Sequence, residues 1–274
     1  MLLTSRACLG TLLVLGLSLA LSPPVAALQE VHIGGAHFPP YVIKPEQEDA
    51  SGLLPELIVA LNAAQPDYRF VMVPTAISRR FRDFQQGRID MAVFENPGWG
   101  WEGIEGARID MGLEDAEIYV AQAKEGRDEH YFDQLKDKRL ALYSGYHYGF
   151  AQFNSDPAYL NREFTTTSTY SHDSNLMMVL RDRVDVALVT RSYFGAYLEA
   201  HPGERPRFLP SKRVDQTYRH YALLRPQAPI DAATFAALLD RLRQNGELER
   251  IFSRYQIEVK PVARDTSAAG SAPN

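Results

Sequence analysis

Cysteine is all but missing from the chain. Its single thiol, Cys8, falls within the first 27 residues, where Arg6 precedes an apolar stretch from Leu9 to Leu21, then Ser22-Pro23-Pro24 and Val25-Ala26-Ala27. A short charged start, an apolar segment of about a dozen residues and small residues at its end make the pattern of a cleavable secretory signal peptide. The run is shorter than the roughly 20 apolar residues a spanning helix needs. Cys8 is not a lipidation site, because the apolar segment follows it rather than precedes it. With cleavage near Ala27 the mature chain has no disulfide and no thiolate chemistry. No later stretch approaches membrane-spanning length.

Basic tracts are missing too. Removing residues 1–27 takes away one arginine and no acid, so 28 basic against 34 acidic residues leave a formal charge of −6. That balance argues against nucleic acid as a partner. The seven histidines never recur at a metal-ligand spacing on a helix, and His32 and His37 on a strand would point to opposite faces. No Gly-x-Ser-x-Gly elbow or phosphate-cradling glycine loop is present. Neither a metal nor a cofactor is expected. Tryptophan is scarce as well: both copies, Trp99 and Trp101, lie in "ENPGWGW" after the apolar run Met91-Ala92-Val93-Phe94.

What is present is alternation of strand and helix periods. Val31–Gly35 reads as a strand that ends in "HFPPY", whose prolines forbid further pairing and set Phe38 and Tyr41 on a stiff extended segment. Residues 53–62 carry apolar side chains at 54, 57, 58 and 61 and read as a helix,. Residues 69–73, 77–86 and 89–94 follow as strand, helix and strand, which completes a βαβαβ unit with a parallel sheet. The pattern repeats as a strand over 139–143, a helix from Tyr148 to Phe153, a strand over 163–166, a helix over 171–181, a strand over 185–189 and a helix over 193–200. A lone strand at 221–224 and a long helix over 231–255 close the chain. The tail over 261–274 is small and polar, and is expected to be disordered. Two such halves suggest two lobes between which the chain crosses twice. In open α/β sheets the ligand site lies beyond the carboxyl ends of the strands.

In this order the pieces resemble the bacterial periplasmic solute-binding proteins of family 3, the polar-amino-acid type. "FPPYV" with "GLLPELIVALN", "RFRDFQQGRIDMAVFEN", "LKDKRLALYSGYHYG", "NLMMVLRDRVDVALVTRSYFGAYL" and "LLDRLRQNGELERIFSRYQI" carry the resemblance. It implies an α/β, two-lobed periplasmic-binding-protein fold of type II, with two hinge crossings and a ligand cleft between the lobes. The lobes expected are 28–120 plus 217–260, and 121–216. The implied role is capture of a small polar, amino-acid-like ligand for uptake by an ABC transporter permease in the inner membrane, by a periplasmic monomer. Two departures stand out. The arginine that such proteins place soon after the third strand to clamp a carboxylate is missing from "NPGWGWEG", and the aspartate expected after "DVALV" is replaced by Thr190 and Arg191,.

The candidate ligand-binding residues follow from the strand breaks. Phe38, Tyr41, Trp99, Trp101 and Tyr146 would supply aromatic walls, the alternative being that these rings pack the loops together. Glu95 and Asn96 follow the third strand directly, Glu95 for a cationic group and Asn96 for hydrogen bonds in either direction; the alternative for Glu95 is pairing with Arg79 or Arg80. "GYHYG", with Tyr146 and His147, is expected to open a helix whose free N–H groups favour an anion. Ser171 or Asp173 would cap the next helix. Thr190 and Arg191 follow the last strand of the second half, Arg191 serving a carboxylate or being merely a solvated helix-start arginine. No catalytic residue is expected. An enzyme on the same fold, related to the periplasmic dehydratases of cyclic carboxylic acids, would need Glu95 with His147 or His172 as acid and base. A ligand-sensing accessory protein is the third reading.

Overall fold

The computed structural model describes residues 28–262. The expected signal peptide, and the tail from residue 263, lie outside them. One nine-stranded sheet runs through the molecule in the order β2-β1-β3-β8-β4-β7-β5-β6, with β9 (Glu258–Val259) added to β4. At one end β1 (Gln29–Gly35), β2 (Tyr68–Pro74) and β3 (Met91–Glu95) pair in parallel. At the other, β5 (Arg139–Tyr143), β6 (Thr165–Thr169) and β7 (Val186–Thr190) do the same. These are the two repeated units that the periodicity predicts.

Two strands join the halves. β4 (Ala107–Gln122) and β8 (Phe208–Leu224) pair antiparallel along most of their length, and the ladder slips between Asp110 and Leu113 and again between Glu117 and Val120. β3 pairs with the carboxyl-terminal part of β8, and β7 with the carboxyl-terminal part of β4. Each long strand therefore belongs to both halves, and its irregular centre lies between them. Sequence periodicity does not find β4, and it finds only the last four residues of β8.

Separate cores confirm the division. In the first half Val31, Ile33, Leu54, Phe70, Phe235 and Phe252 are buried together. They are covered by α1 (Leu53–Ala64), α6 (Ala232–Gln244) and α7 (Glu247–Phe252). In the stretch over 231–255 the apolar positions 235, 238, 239, 242, 248, 251 and 252 are all buried. They lie on two helices rather than one, because Gly246 at φ 80° turns the chain after Asn245,. α2 (Arg80–Gln85) is shorter than the helix expected over 77–86. In the second half Val189 and Phe194 pack on one sheet face, and Phe132 and Leu142 on the other. α4 (His172–Leu180) and α5 (Arg191–Ala200) cover the first of these faces.

Two local expectations are corrected, and one helix stands where none was expected. "HFPPY" is a tight loop rather than an extended segment: Phe38 and Val42 exchange backbone hydrogen bonds of 2.9 Å around a cis Pro39–Pro40 bond. α3 (Pro157–Glu163) occupies a stretch that shows no helical period, started by Asp156 accepting from the Ala158 N–H at 3.0 Å,. The segment after β5 is a single 3-10 turn at Gly149–Ala151, not an α-helix.

Candidate functional site

The carboxyl end of β3 carries the chemistry of the junction. Glu95 is its last residue and is nearly buried, with Arg80 of α2 beside it. Arg80 Nε lies 2.7 Å from Glu95 Oε1, an ion contact whose N–H does not aim along the line of a hydrogen bond. The second oxygen, Oε2, accepts from Trp101 Nε1 at 2.9 Å. Arg80 also donates to the backbone carbonyls of Ile77 and Trp99, and its guanidinium lies 4.2 Å from the Phe81 ring centroid. A charge pair this enclosed is held by its hydrogen bonds as much as by Coulomb attraction. Glu95 is thus spoken for by Arg80, the alternative that the sequence left open.

The two tryptophans part company. Trp99 lines a cavity of about 60 Å³ between the halves. Its ring meets Tyr218 edge-on at 4.7 Å and its Nε1 donates to Gln216 Oε1 at 3.3 Å. Trp101 is not among the residues lining that cavity; it is buried in a cluster with Phe84 and Ile89, and meets Phe81 at 4.7 Å. Its role is to close a core and hold Glu95, a correction to the expectation that both rings would wall the pocket.

Phe38, Glu95, Trp99, Tyr146 and His147 all line this cavity, together with Arg80. Tyr146 and His147 come from the second half, and Phe38 meets Tyr146 edge-on across the junction at 5.4 Å. Gly145, at φ 83°, lets that roof approach Ile77 so closely that a Cβ would lie 3.1 Å from Ile77 Cγ2. Two residues of this lining carry polar groups in different states. His147 is held neutral, its pKa lowered to about 4 by burial and by the Arg80 charge. The Tyr146 hydroxyl is buried and has no hydrogen-bond partner.

The remaining candidates lie around this cavity, not on it. Tyr41 is fully buried under Phe38, which stacks on it at 4.6 Å. Its hydroxyl donates to Asp115 Oδ2 at 2.9 Å, which leaves the phenol oxygen to accept from His220 Nε2 at 2.7 Å. Asn96 closes its own turn by accepting from the Gly98 N–H at 2.9 Å, and donates to the Arg219 carbonyl. Thr190 is the buried N-cap of α5, accepting from the Tyr193 N–H at 3.2 Å. Arg191, half-buried, is the first residue of that helix. Ser171 caps α4, while Asp173 accepts from the Tyr193 hydroxyl at 2.5 Å. The free N–H groups expected after "GYHYG" are taken by the chain's own carboxylate: Asp215 accepts from Gly149 at 2.6 Å and from Phe150 at 2.8 Å.

Sequence reasoning missed Tyr218 as a wall, because it lies in the unread part of β8. It also missed three carboxyls at the centre of the long strands, Asp115 and Glu117 buried and Asp215 half-buried. Asp115 links the halves, accepting from Tyr41 of the first and from Ser192 Oγ of the second at 2.5 Å. Glu117, fully buried, accepts from the Tyr218 hydroxyl and leaves Oε1 without a partner. Asp215 also accepts from the Tyr119 hydroxyl at 2.6 Å. Burial raises the pKa of all three, that of Glu117 farthest,.

No protein-family model matches the sequence, and no curated protein sequence does. Solved structures do match. A substrate-binding protein of an ABC uptake transporter from Streptococcus pneumoniae, with bound histidine, superposes with TM-score 0.63 at 18% identity, over 85% of this chain and 95% of that one. The chain has the two-lobed periplasmic-binding-protein fold. A histidine kinase sensor domain similar to periplasmic binding proteins gives TM-score 0.63 at 15% identity, over 85% and 99% of the two chains. An ancestral amino-acid-binding protein, a precursor of cyclohexadienyl dehydratase, gives 0.60 at 14%, over 82% and 94%. In this fold the cavity lies at the junction of the lobes, and β4 and β8 are the hinge strands. Among the described residues no helix is long and apolar enough to cross a membrane, and no cluster of three or more His, Cys, Asp or Glu side chains could hold a metal.

Proposed function

We propose that the chain is an exported solute-binding protein, which traps a small ligand between its lobes and presents it to an ABC transporter permease in the inner membrane. The lobes proposed are residues 28–120 with 217–260, and residues 121–216. Cleavage near Ala27 would release a periplasmic monomer. The observation that carries the reading is one cavity lined from both lobes, by Trp99 and Arg80 on one side and Tyr146 and His147 on the other, beside two hinge strands whose ladder is irregular at their centre. Closing and opening about such strands is how two-lobed proteins admit and hold a ligand.

Binding without chemistry is the better reading of the site. An acid–base pair of Glu95 with His147 or His172 is poorly supported: both Glu95 oxygens are engaged, and His172 is buried between Tyr143 and Tyr193, each ring 4.8 Å away. A thermal-shift screen over amino acids, polyamines, small carboxylates and uncharged aromatic compounds tests the proposal. A true ligand raises the melting temperature in proportion to RT ln(1 + [L]/Kd). At least one class is expected to do so, and no shift from any class would count against the proposal.

A further inference from the structure

The charges at the cavity are already paired with one another. Arg80 and Glu95 are each nearly buried, and Trp101 Nε1 together with the Ile77 and Trp99 carbonyls fix them in place. A ligand carboxylate that took Arg80 would leave Glu95 as a buried, unpaired charge, and an ammonium that took Glu95 would strand Arg80. Removing one partner of such a pair is strongly unfavourable. His147 adds no cation, since burial and the Arg80 charge lower its pKa to about 4. The other walls present rings and aliphatic carbon: Phe38, Ile77, Ile89, Phe94, Trp99 and Tyr218. Among the buried polar atoms of this lining, one has neither a hydrogen bond nor an ion partner. Tyr146 lines this cavity, 7% exposed, and its buried hydroxyl has no hydrogen-bond partner. Buried polar groups are rarely left without a partner, so a ligand atom is the natural candidate.

On the reading above, we infer that the ligand is a small uncharged aromatic molecule carrying one hydrogen-bonding group, its ring between Phe38 and Trp99 and its polar atom on the Tyr146 hydroxyl. A site built this way rejects zwitterionic amino acids. The cavity of about 60 Å³ is below the ~150 Å³ known to take a benzene ring. The ring therefore enters by parting Phe38 from Tyr146, which is the motion the hinge strands permit.

Calorimetric titration of the full mature chain with benzamide, phenol, benzoate, L-arginine and L-glutamine tests this. Benzamide or phenol is expected to bind at least about tenfold more tightly than the three charged probes. In Glu95→Gln, the amide oxygen still accepts from Trp101 while Arg80 is released, so the preference between benzamide and benzoate should reverse by about tenfold or more. Should Glu95→Gln fail to fold, Tyr146→Phe decides. Losing the one hydrogen bond should weaken benzamide about tenfold and leave toluene unchanged. An amino acid that binds more tightly than benzamide overturns the ligand class and leaves the solute-binding proposal standing. Benzamide affinity unaffected by Tyr146→Phe overturns the ligand class as well. Absence of heat from every probe at millimolar concentration overturns the ligand class, while the solute-binding proposal rests on the wider thermal screen.

Discussion

At the residue scale, the two tryptophans answer different physical needs two positions apart. Trp99 faces the cavity, so Trp99→Ala should weaken whichever ligand the thermal screen finds by more than tenfold, a loss of roughly 1.4 kcal/mol or more. Trp101 acts on the fold. Trp101→Phe keeps a ring against Phe81 but removes the hydrogen bond to Glu95, which should cost about 1–3 kcal/mol of stability in urea denaturation. A Trp101→Phe chain as stable as its parent would show that the Glu95 contact contributes little. The position of both rings after β3 was readable, because glycine and proline mark the loop. Which ring faces inward was not, since a loop has no period from which to project a direction. Arg80 was readable only as one of two partners for Glu95; nothing in "SRRFRD" distinguishes it from Arg79, which the structure instead pairs with Asp83.

At the scale of the element, the hinge strands were the largest omission. β4 reads "ARIDMGLEDAEIYVAQ", where Asp115 and Glu117 break the apolar run at positions that are in fact buried. A period search expects water where an acid stands. Strands read on hydrophobic pattern alone, such as β1, β2 and β7, came out close to their observed bounds, because no ionisable side chain stands at their buried positions. Glu117 also gives the hinge a pH dependence. Its folded pKa is raised, so its stabilising contribution is full below the unfolded value, about 4.3, and is lost as pH rises through the folded value,. Gln cannot ionise and still accepts from Tyr218. Glu117→Gln should therefore match the parent near pH 4 and exceed it by about 1–3 kcal/mol at pH 8. Equal stability at both pH values would place an ionised, solvated carboxylate at this site instead.

Across the whole molecule, buried histidines act in the opposite sense. His172 and His220 are held neutral, their pKa values lowered to about 3 by burial. The unfolded chain takes up their protons below about pH 6.5 while the folded one does not, so their stabilising effect is present above that value and declines as pH falls toward 3. The slope approaches about 1.4 kcal/mol per pH unit for each ring. Neither ring nitrogen of His172 has a hydrogen-bond partner, so His172→Phe should leave stability at pH 7.5 little changed and raise it at pH 5, read from urea midpoints. A parallel loss at both pH values would assign His172 a polar partner. The overall architecture was legible at this scale: repeated βαβαβ units and a closing helical stretch are set by long-range periodicity, which single buried acids do not erase.

The central claim is that two lobes close on a ligand about β4 and β8. Residues 28–274 contain no cysteine, so in a chain of those residues spin labels can be placed singly at Glu48→Cys on the first lobe and Ser174→Cys on the second, both exposed. The distance between them should be measured by pulsed electron resonance, without ligand and with the compound that gives the largest thermal shift. The account predicts a ligand-dependent redistribution toward one narrow, shorter distance. A distribution that stays the same while the ligand is bound would contradict it.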